Sequence, residues 1–275
     1  MADSYVSVTN TDALLVPVKA ATVYAAHESS LFLGGQLIPV VAAPNGVIQV
    51  PELAAVTAST IGGGTITTDV SVTNPTDTKN TITCDLYAAR SVVRDLGNID
   101  PAEIGRTLGN AVSSAFDKAV AGVMGSLTGQ EITSGDLDLE EIFAAVATIR
   151  GAGETGQLYG VVGTGAYAAL MSAIGSQAYA GGDLFQGQAL RSGFFGTIAG
   201  VQFFVSSYLN ATNTGVTGAK AAIFGADAMR IAMQKNVDVE VARRAEAVGY
   251  DVVASLHAAV GLIDAGRGVL IKDAA

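Results

Sequence analysis

The sequence predicts an α+β protein organised around one long helix, and three observations carry that expectation. A capped segment with an apolar stripe runs from Asp100 to about Leu127. A threonine-rich hairpin pattern precedes it. Short alternating α and β units follow, and after them come long stretches that repeat every second residue.

The central helix is signalled at its start. Asp100 stands at the N-cap, where its carboxylate can accept from unpaired backbone N–H groups. Pro101 takes the first helical position, where its missing N–H costs nothing, and Glu103 can close a capping box. Ile104, Leu108, Val112, Ala115, Phe116, Ala119, Val123 and Leu127 recur at three- and four-residue intervals. Arg106, Asn110, Ser113, Asp117 and Lys118 are expected largely on the other sides. At 1.5 Å per residue the helix would be about 40 Å long. Gly105, Gly109, Gly122 and Gly125 each weaken it by up to roughly 1 kcal/mol relative to alanine, so it needs packing along most of its length.

Before this helix, residues 1 to about 28 show no helical pattern and read as an arm lying over other surface. From Ser29 the chain turns apolar and strand-like, with Gly34, Gly35, Pro39, Pro44, Gly46 and Pro51 cutting it into short extended pieces. Gly62–Gly64 opens a hairpin: Ile66, Val70 and Val72 on one strand, Asn74 to Asp77 as the turn, and Thr81 to Tyr87 returning. The region from Pro39 to Tyr87 has too few large apolar residues for its own core. It reads as a β-arm that lies on something else or, alternatively, as an ordinary antiparallel sheet covering the helix. Ala88 to Asn98 leads into the helix and carries Arg90, Arg94 and Asp95.

After Gly129 a second unit begins. Asp136 to Arg150 reads as a helix with acidic residues in its first turn, Leu158 to Val162 as a buried strand, and Gly165 to Gly175 as a helix with Tyr167, Leu170 and Met171 inward. A glycine-rich loop, a turn at Ile198–Gly200 into a strand, a polar loop at Asn210–Gly218 and a strand at Ala221–Phe224 complete an α/β unit. Val237, Val239 and Val241, then Tyr250 through Leu262, alternate with period two and are read as strands despite their alanines. Gly266–Gly268 turns into a last strand, Val269 to Ile271.

Composition narrows the function. The 275 residues are 49% hydrophobic and 15% charged, with mean hydropathy +0.42, yet no apolar run reaches the eighteen residues of a membrane span. That excess fits either large areas buried between chains or a well-filled core. The net charge of −10 disfavours a nucleic-acid binder, which neutralises phosphates with Lys and Arg. It suits a surface that lies near nucleic acid without adhering to it. MADSYVSVTNTD has no basic region ahead of an apolar segment, so no secretory leader is expected. The single Cys84 cannot form an internal disulfide, and a cytosolic folding site follows.

Catalytic patterns are sparse. Gly163-Thr164-Gly165-Ala166-Tyr167-Ala168 follows a strand and opens a helix, as a dinucleotide-binding turn would, with Asp183 downstream. Against it stand its mid-chain position, the absence of a second βα unit in register and the glycine-rich loop around Asp183. His27 and His257 are far apart and lack ligand-spaced partners, so no metal or cofactor is expected. No constellation supports catalysis.

The order of parts is informative where single motifs are not. DLYAARSVVRDLGNIDPAEIGRTLGNAVSSAFDKAVAGVMGSL, FFGTIAGVQFFVSS and NVDVEVARRAEAVGYDVVASLHAAVGLIDAGRGVLI resemble, in order and separation, three segments of the major capsid proteins of tailed bacteriophages. That is the Hong Kong phage type of fold, which encapsulin nanocompartments share. The resemblance implies an N-terminal arm (1–38), an extended β-hairpin loop (39–87), a peripheral domain with the spine helix (88–133 and 228–275) and an inserted α/β axial domain (134–227). It further implies a structural virion protein that assembles in the host cytoplasm, as hexamers and pentamers, into an icosahedral shell around double-stranded DNA. Its partners would be other copies of itself, a portal, a separate scaffolding protein and, in some shells, a cement or decoration protein. Encapsulin is the alternative within the fold, and an NAD-dependent enzyme using Gly163-Thr164-Gly165 the alternative outside it. Arg90, Arg94, Arg243 and Arg244 are the residues expected to form inter-subunit ion pairs with acidic residues such as Asp95 and Glu240. The plainer reading of such a cluster is a solvated face, where most pairs contribute under about 1 kcal/mol.

Overall fold

A computed structural model describes residues 9–53, 77–94, 100–132, 136–176 and 197–274. Helix α2 (Pro101–Met124) begins where its capping signals place it: the Asp100 carboxylate accepts from the Ala102 N–H at 2.9 Å. Around it run α1 (Thr9–Ser29), α3 (Leu139–Gly151), α4 (Thr164–Ser176) and a single turn, α5 (Ala211–Thr214). The strands are β1 (Val40–Ala42), β2 (Val47–Leu53), β3 (Asp77–Thr83), β4 (Asp85–Arg94), β5 (Thr128–Ile132) and β6 (Leu158–Gly163). They continue as β7 (Thr197–Ile198), β8 (Val201–Ser206), β9 (Ala219–Gly225), β10 (Met229–Arg244), β11 (Gly249–Leu262) and β12 (Gly268–Asp273).

Two sheets meet on α2. One has four strands in the order β1-β10-β11-β4; the other has six, β5-β12-β9-β6-β8-β7. The period of two in β11 sets the first packing: Val252, Ala254, Leu256 and Ala258 all point into the core that the apolar stripe of α2 enters. Phe116 meets the Tyr87 ring of β4 edge-on at 5.8 Å. Toward its C-terminal end α2 covers the six-stranded sheet, where Val120, Met124 and Leu127 join one cluster with Val161, Ala222, Phe224 and Leu270. The alternate residues of the same strands, Val162, Ala221, Ile223 and Ile271, face the opposite way and pack with Ile142 and Ile149 of α3 and Leu170 of α4. Asp138 caps α3 by accepting from the Glu140 and Glu141 N–H groups. Between β7 and β8, Ala199 and Gly200 both adopt positive φ, as a two-residue hairpin turn requires.

Three expectations are corrected. Residues 9–29, read as lacking a helix, form α1. Its buried side is made of Val18, Thr22, Ala25 and Ala26 while Val16 and Tyr24 are exposed, so apolar residues occur all round and leave no stripe to detect. Ser113 and Asp117 do lie on another side of α2 from its apolar stripe, and they are each 1% exposed because α1 lies over them. The return strand expected at Thr81–Tyr87 is two strands. It breaks at Cys84, whose N–H bonds the Gly46 carbonyl at 2.7 Å; β3 pairs with β2, and β4 pairs with β11. Asp77, given to the turn, begins β3, and β2 runs through Pro51. A two-stranded ribbon leaves every residue on an edge, so the missing N–H there is tolerated. Gly62–Gly64, Ile66, Val70, Val72 and Asn74 to Thr76 lie outside the described residues.

The α1–α2 contact explains two glycines that sequence counted only as weakening. A Cβ on Gly105 would stand 2.6 Å from the Val18 carbonyl oxygen, and one on Gly109 would stand 2.4 Å from that of Thr22. Backbone meets backbone there. A second tie crosses to β10, where Lys19 of α1 and Lys235 both hold Asp238, at 2.6 and 2.7 Å. These bonds keep its carboxyl well below the usual carboxylate range.

Gly109→Ala should therefore destabilise the protein. The roughly 1 kcal/mol gained in helix propensity is outweighed by about 1–3 kcal/mol of overpacking against an immovable carbonyl. A urea midpoint lower than that of the parent checks this; an equal or higher midpoint contradicts it.

Candidate inter-subunit surface

The long β10–β11 hairpin and β4 end together. Arg244, Gly249 and Arg94 share one rung, since Gly249 is the register partner of both arginines. The glycine is needed for space: a Cβ there would lie 2.2 Å from the Val93 carbonyl oxygen. At the tip, Val248 adopts a left-handed backbone (φ 47°) that a β-branched residue rarely takes, with its side chain exposed. Val92, Arg94, Arg244 and Glu246 surround an open hollow of about 470 Å³ beside it.

The structure distributes the six expected contact residues as follows. Arg90 is engaged within its own chain: its guanidinium grips the Asp251 carboxylate with two bonds, the Nε one at 2.7 Å, holding that carboxyl below its usual range. Arg243 lies over the Tyr250 ring at 4.8 Å. Arg244 approaches Glu246 at 3.8 Å. Arg94 and Arg244 come together at the hollow, and Glu240 is exposed on β10 opposite Val253. Asp95 lies outside the described residues. Sequence reasoning missed Tyr250 and Asp251 as partners. The period of two already put Asp251 on the side away from Val252, but only the strand register says which arginine it meets.

A second charged node was not anticipated at all. Arg267 reaches Asp264 at 3.1 Å, Asp227 at 3.3 Å and the buried Glu154 at 3.5 Å. It thereby ties the α3–β6 connection to the two turns, β9–β10 and β11–β12, through which the chain passes between its sheets. These are intrachain fasteners rather than a surface.

The glycine turn resembling a dinucleotide site occupies a suggestive place. β8 lies parallel to β6, so the turn stands at the C-terminal end of a strand with a parallel neighbour; no second βα unit follows, since β8 leads into the single turn α5 and then into β9, antiparallel to β6. The space available, about 270 Å³, is small for a dinucleotide. Part of its polar lining is already engaged. Lys220 bonds Asp273 at 2.7 Å, Asn210 caps α5 through the Asn213 N–H, and Gly163 is there because a Cβ would lie 2.5 Å from the Leu209 carbonyl oxygen. Asp183 lies outside the described residues. Among the described residues no three His, Cys, Asp or Glu side chains are grouped to hold a metal ion, and no helix is long and apolar enough to cross a membrane.

No protein-family model matches the sequence, and no curated protein matches it either. Solved structures do match. A protein of Mycobacterium phage Che8 superposes with a TM-score of 0.66 at 18% identity, over 82% of this chain and 84% of that one. The mature capsid of bacteriophage PhiM1 gives 0.64 at 16% identity, over 88% and 86%. The chain has the phage capsid fold. A virus-like particle from Pyrococcus furiosus matches too, with a TM-score of 0.65 at 11% identity over 94% of this chain and 99% of that one. The capsid fold therefore accounts for most of the chain and makes the expected α+β class an observation.

Arg90→Ala should lower the urea midpoint modestly at pH 7. Asp251 is held below its usual range by Arg90, so the pair's contribution is present above that range and is lost only as pH falls through the lowered folded value. The gap between the two midpoints should therefore shrink as pH is taken well below the usual carboxylate range; a gap that keeps its full size there contradicts the pairing.

Proposed function

We propose that this chain is a structural virion protein that assembles, as hexamers and pentamers, into an icosahedral shell enclosing packaged double-stranded DNA. The observation that carries the reading is the capsid fold itself, matched over 82% to 94% of the chain. Residues 88–133 with 228–275 would form the peripheral domain, 134–227 the axial domain around the symmetry axes, and 39–87 the extended loop lying over a neighbouring copy. The described part of the arm, 9–38, is the docked helix α1 followed by a turn that buries Phe32, Leu33, Leu37 and Ile38. Composition supports this division: a shell subunit buries apolar area against several neighbours at once, and closure multiplies contacts that are individually modest. The net charge of −10 would limit adhesion of DNA to the inner wall. A portal, a separate scaffolding protein and a decoration protein are the partners this reading entails.

Likeness to the Pyrococcus furiosus particle favours one second reading, an encapsulin-like compartment. Expression of the chain with and without a candidate scaffolding protein, viewed by negative-stain electron microscopy, tests both. Closed shells are expected, and shells that protect DNA from nuclease when co-expressed with packaging proteins support the virion reading. Shells that retain an enzyme cargo instead support the compartment. A compact monomer at high concentration in every combination ends both.

Of the six proposed contact residues, Arg90, Arg94, Arg243, Arg244 and Glu240 are exposed on the β4–β10–β11 sheet, Arg90 being already paired with Asp251. Replacing Arg243 and Arg244 together by alanine should cut shell yield several-fold while leaving the far-ultraviolet circular dichroism of the subunit unchanged. Normal yield would remove both residues from the contact.

A further inference from the structure

The end of the β10–β11 hairpin carries features that its own chain does not use. Val241 and Val252, partners in register, are the last of its residues to pack with the core. Beyond them Ala242, Arg243, Arg244, Ala245, Glu246 and Val248 are all exposed. Val248 holds a left-handed backbone at φ 47°, which strains a β-branched residue and would cost glycine nothing. Its side chain is 60% exposed, so no burial within the chain offsets that strain.

The charges at this end are incompletely matched. Arg94 and Arg244 stand on either side of Gly249 in one rung, and residues of one rung project to the same face of a sheet. Gly249 has no side chain to place between them, and both arginines line the hollow of about 470 Å³ together with Val92 and Glu246. Among the described residues Arg94 is in no ion pair. Arg244 has Glu246 at 3.8 Å, too far for a hydrogen bond, and the Glu246 side chain is 88% exposed. The neighbouring arginines are in a different position: Arg90 is gripped by Asp251, and Arg243 lies over the Tyr250 ring. Two guanidinium groups and one loosely placed carboxylate leave the hollow positive, on a chain whose net charge is −10.

We propose that hairpin ends of separate copies meet, the Glu246 carboxylate of one copy entering the Arg94–Arg244 hollow of the next while its Val248 covers the exposed Val92 there. The inference rests on the shell reading and names the partner of a surface that the reading leaves unassigned. A patch that holds a basic hollow, a projecting acid and an exposed apolar side chain is complementary to itself, as a contact between identical copies requires. A carboxylate between two guanidinium groups accepts charge-assisted bonds from both, which the internal 3.8 Å approach does not supply. One such contact, small and open to water, contributes little; repetition around a closed shell makes it count.

Exchange of charges between copies tests this. In the full chain, Glu246→Arg puts a cation where the acid should enter, and Arg94→Glu with Arg244→Glu makes the hollow acidic. Each variant alone should cut the yield of sedimenting shells several-fold under conditions in which the parent assembles. Mixed in equal amounts before assembly, each variant's residue 246 suits the other's hollow, while neither chain regains its internal pairing. The mixture should therefore yield several-fold more shells than either variant alone, a gain that a role within one chain does not produce. Val248→Gly relieves the strained backbone, so its urea midpoint should equal or exceed the parent's while its shell yield falls; it decides the matter if the charge variants do not fold. Variants that assemble like the parent, or a mixture no better than its components, overturn the contact and leave the shell reading standing. A parent that forms no shells in any combination ends the shell reading, and this contact with it.

Discussion

Everything in this fold depends on α2 being covered on several sides along its length. A helix of 24 residues is about 36 Å long, enough to lie under the four-stranded sheet with one part and the six-stranded sheet with the other. Its third neighbour, α1, is admitted only because two glycines let carbonyl oxygens come as close as 2.4 Å to where a Cβ would be. The conformational cost of glycine in a helix, roughly 1 kcal/mol each, is offset by burial of Val18, Ala25 and Ala26 at the crossing. Remove that approach and residues 9–30 have no seat.

That arrangement separates the parts of the molecule that are committed internally from those that are not. The core clusters fill both faces of the six-stranded sheet and one face of the four-stranded sheet. The other face of the four-stranded sheet carries Leu86 and Val92 beside Arg90, Arg94 and Asp251, and its β4 edge is unpaired among the described strands. The β2–β3 ribbon is anchored at its base, where Ile82 packs on Ala259 and Asn80 bonds the Ile263 carbonyl at 2.9 Å. A two-stranded ribbon is marginal by itself, so its outer part calls for support that a neighbouring copy would supply. An apolar, weakly charged chain with such edges suits repeated, modest contacts in a closed shell.

Much of this was legible beforehand. The capped start of α2, the two long strands of period two and the strand–turn–helix at Gly163 all stand where local chemistry put them, because each is specified by neighbours in sequence. The charged surface was half legible. Arginines at 90, 94, 243 and 244 could be seen to cluster, but Arg90 proved to be tied to Asp251 across a strand pairing 161 residues apart. No spacing rule reaches that far.

By itself, then, the sequence determined the α+β class, the spine helix with its N-cap, the alternation that makes β10 and β11 strands, and an acidic, cysteine-poor character. Those are properties of short-range periodicity and composition. Only the tertiary structure decided that residues 9–29 are helical, that Ser113 and Asp117 are buried, and that β3 and β4 part at Cys84 to join different sheets. In each case the deciding partner is remote in the chain, and α1 shows why that matters. A helix whose buried face is made of small residues and whose exposed face is partly apolar has no pattern of its own until its neighbour is in place.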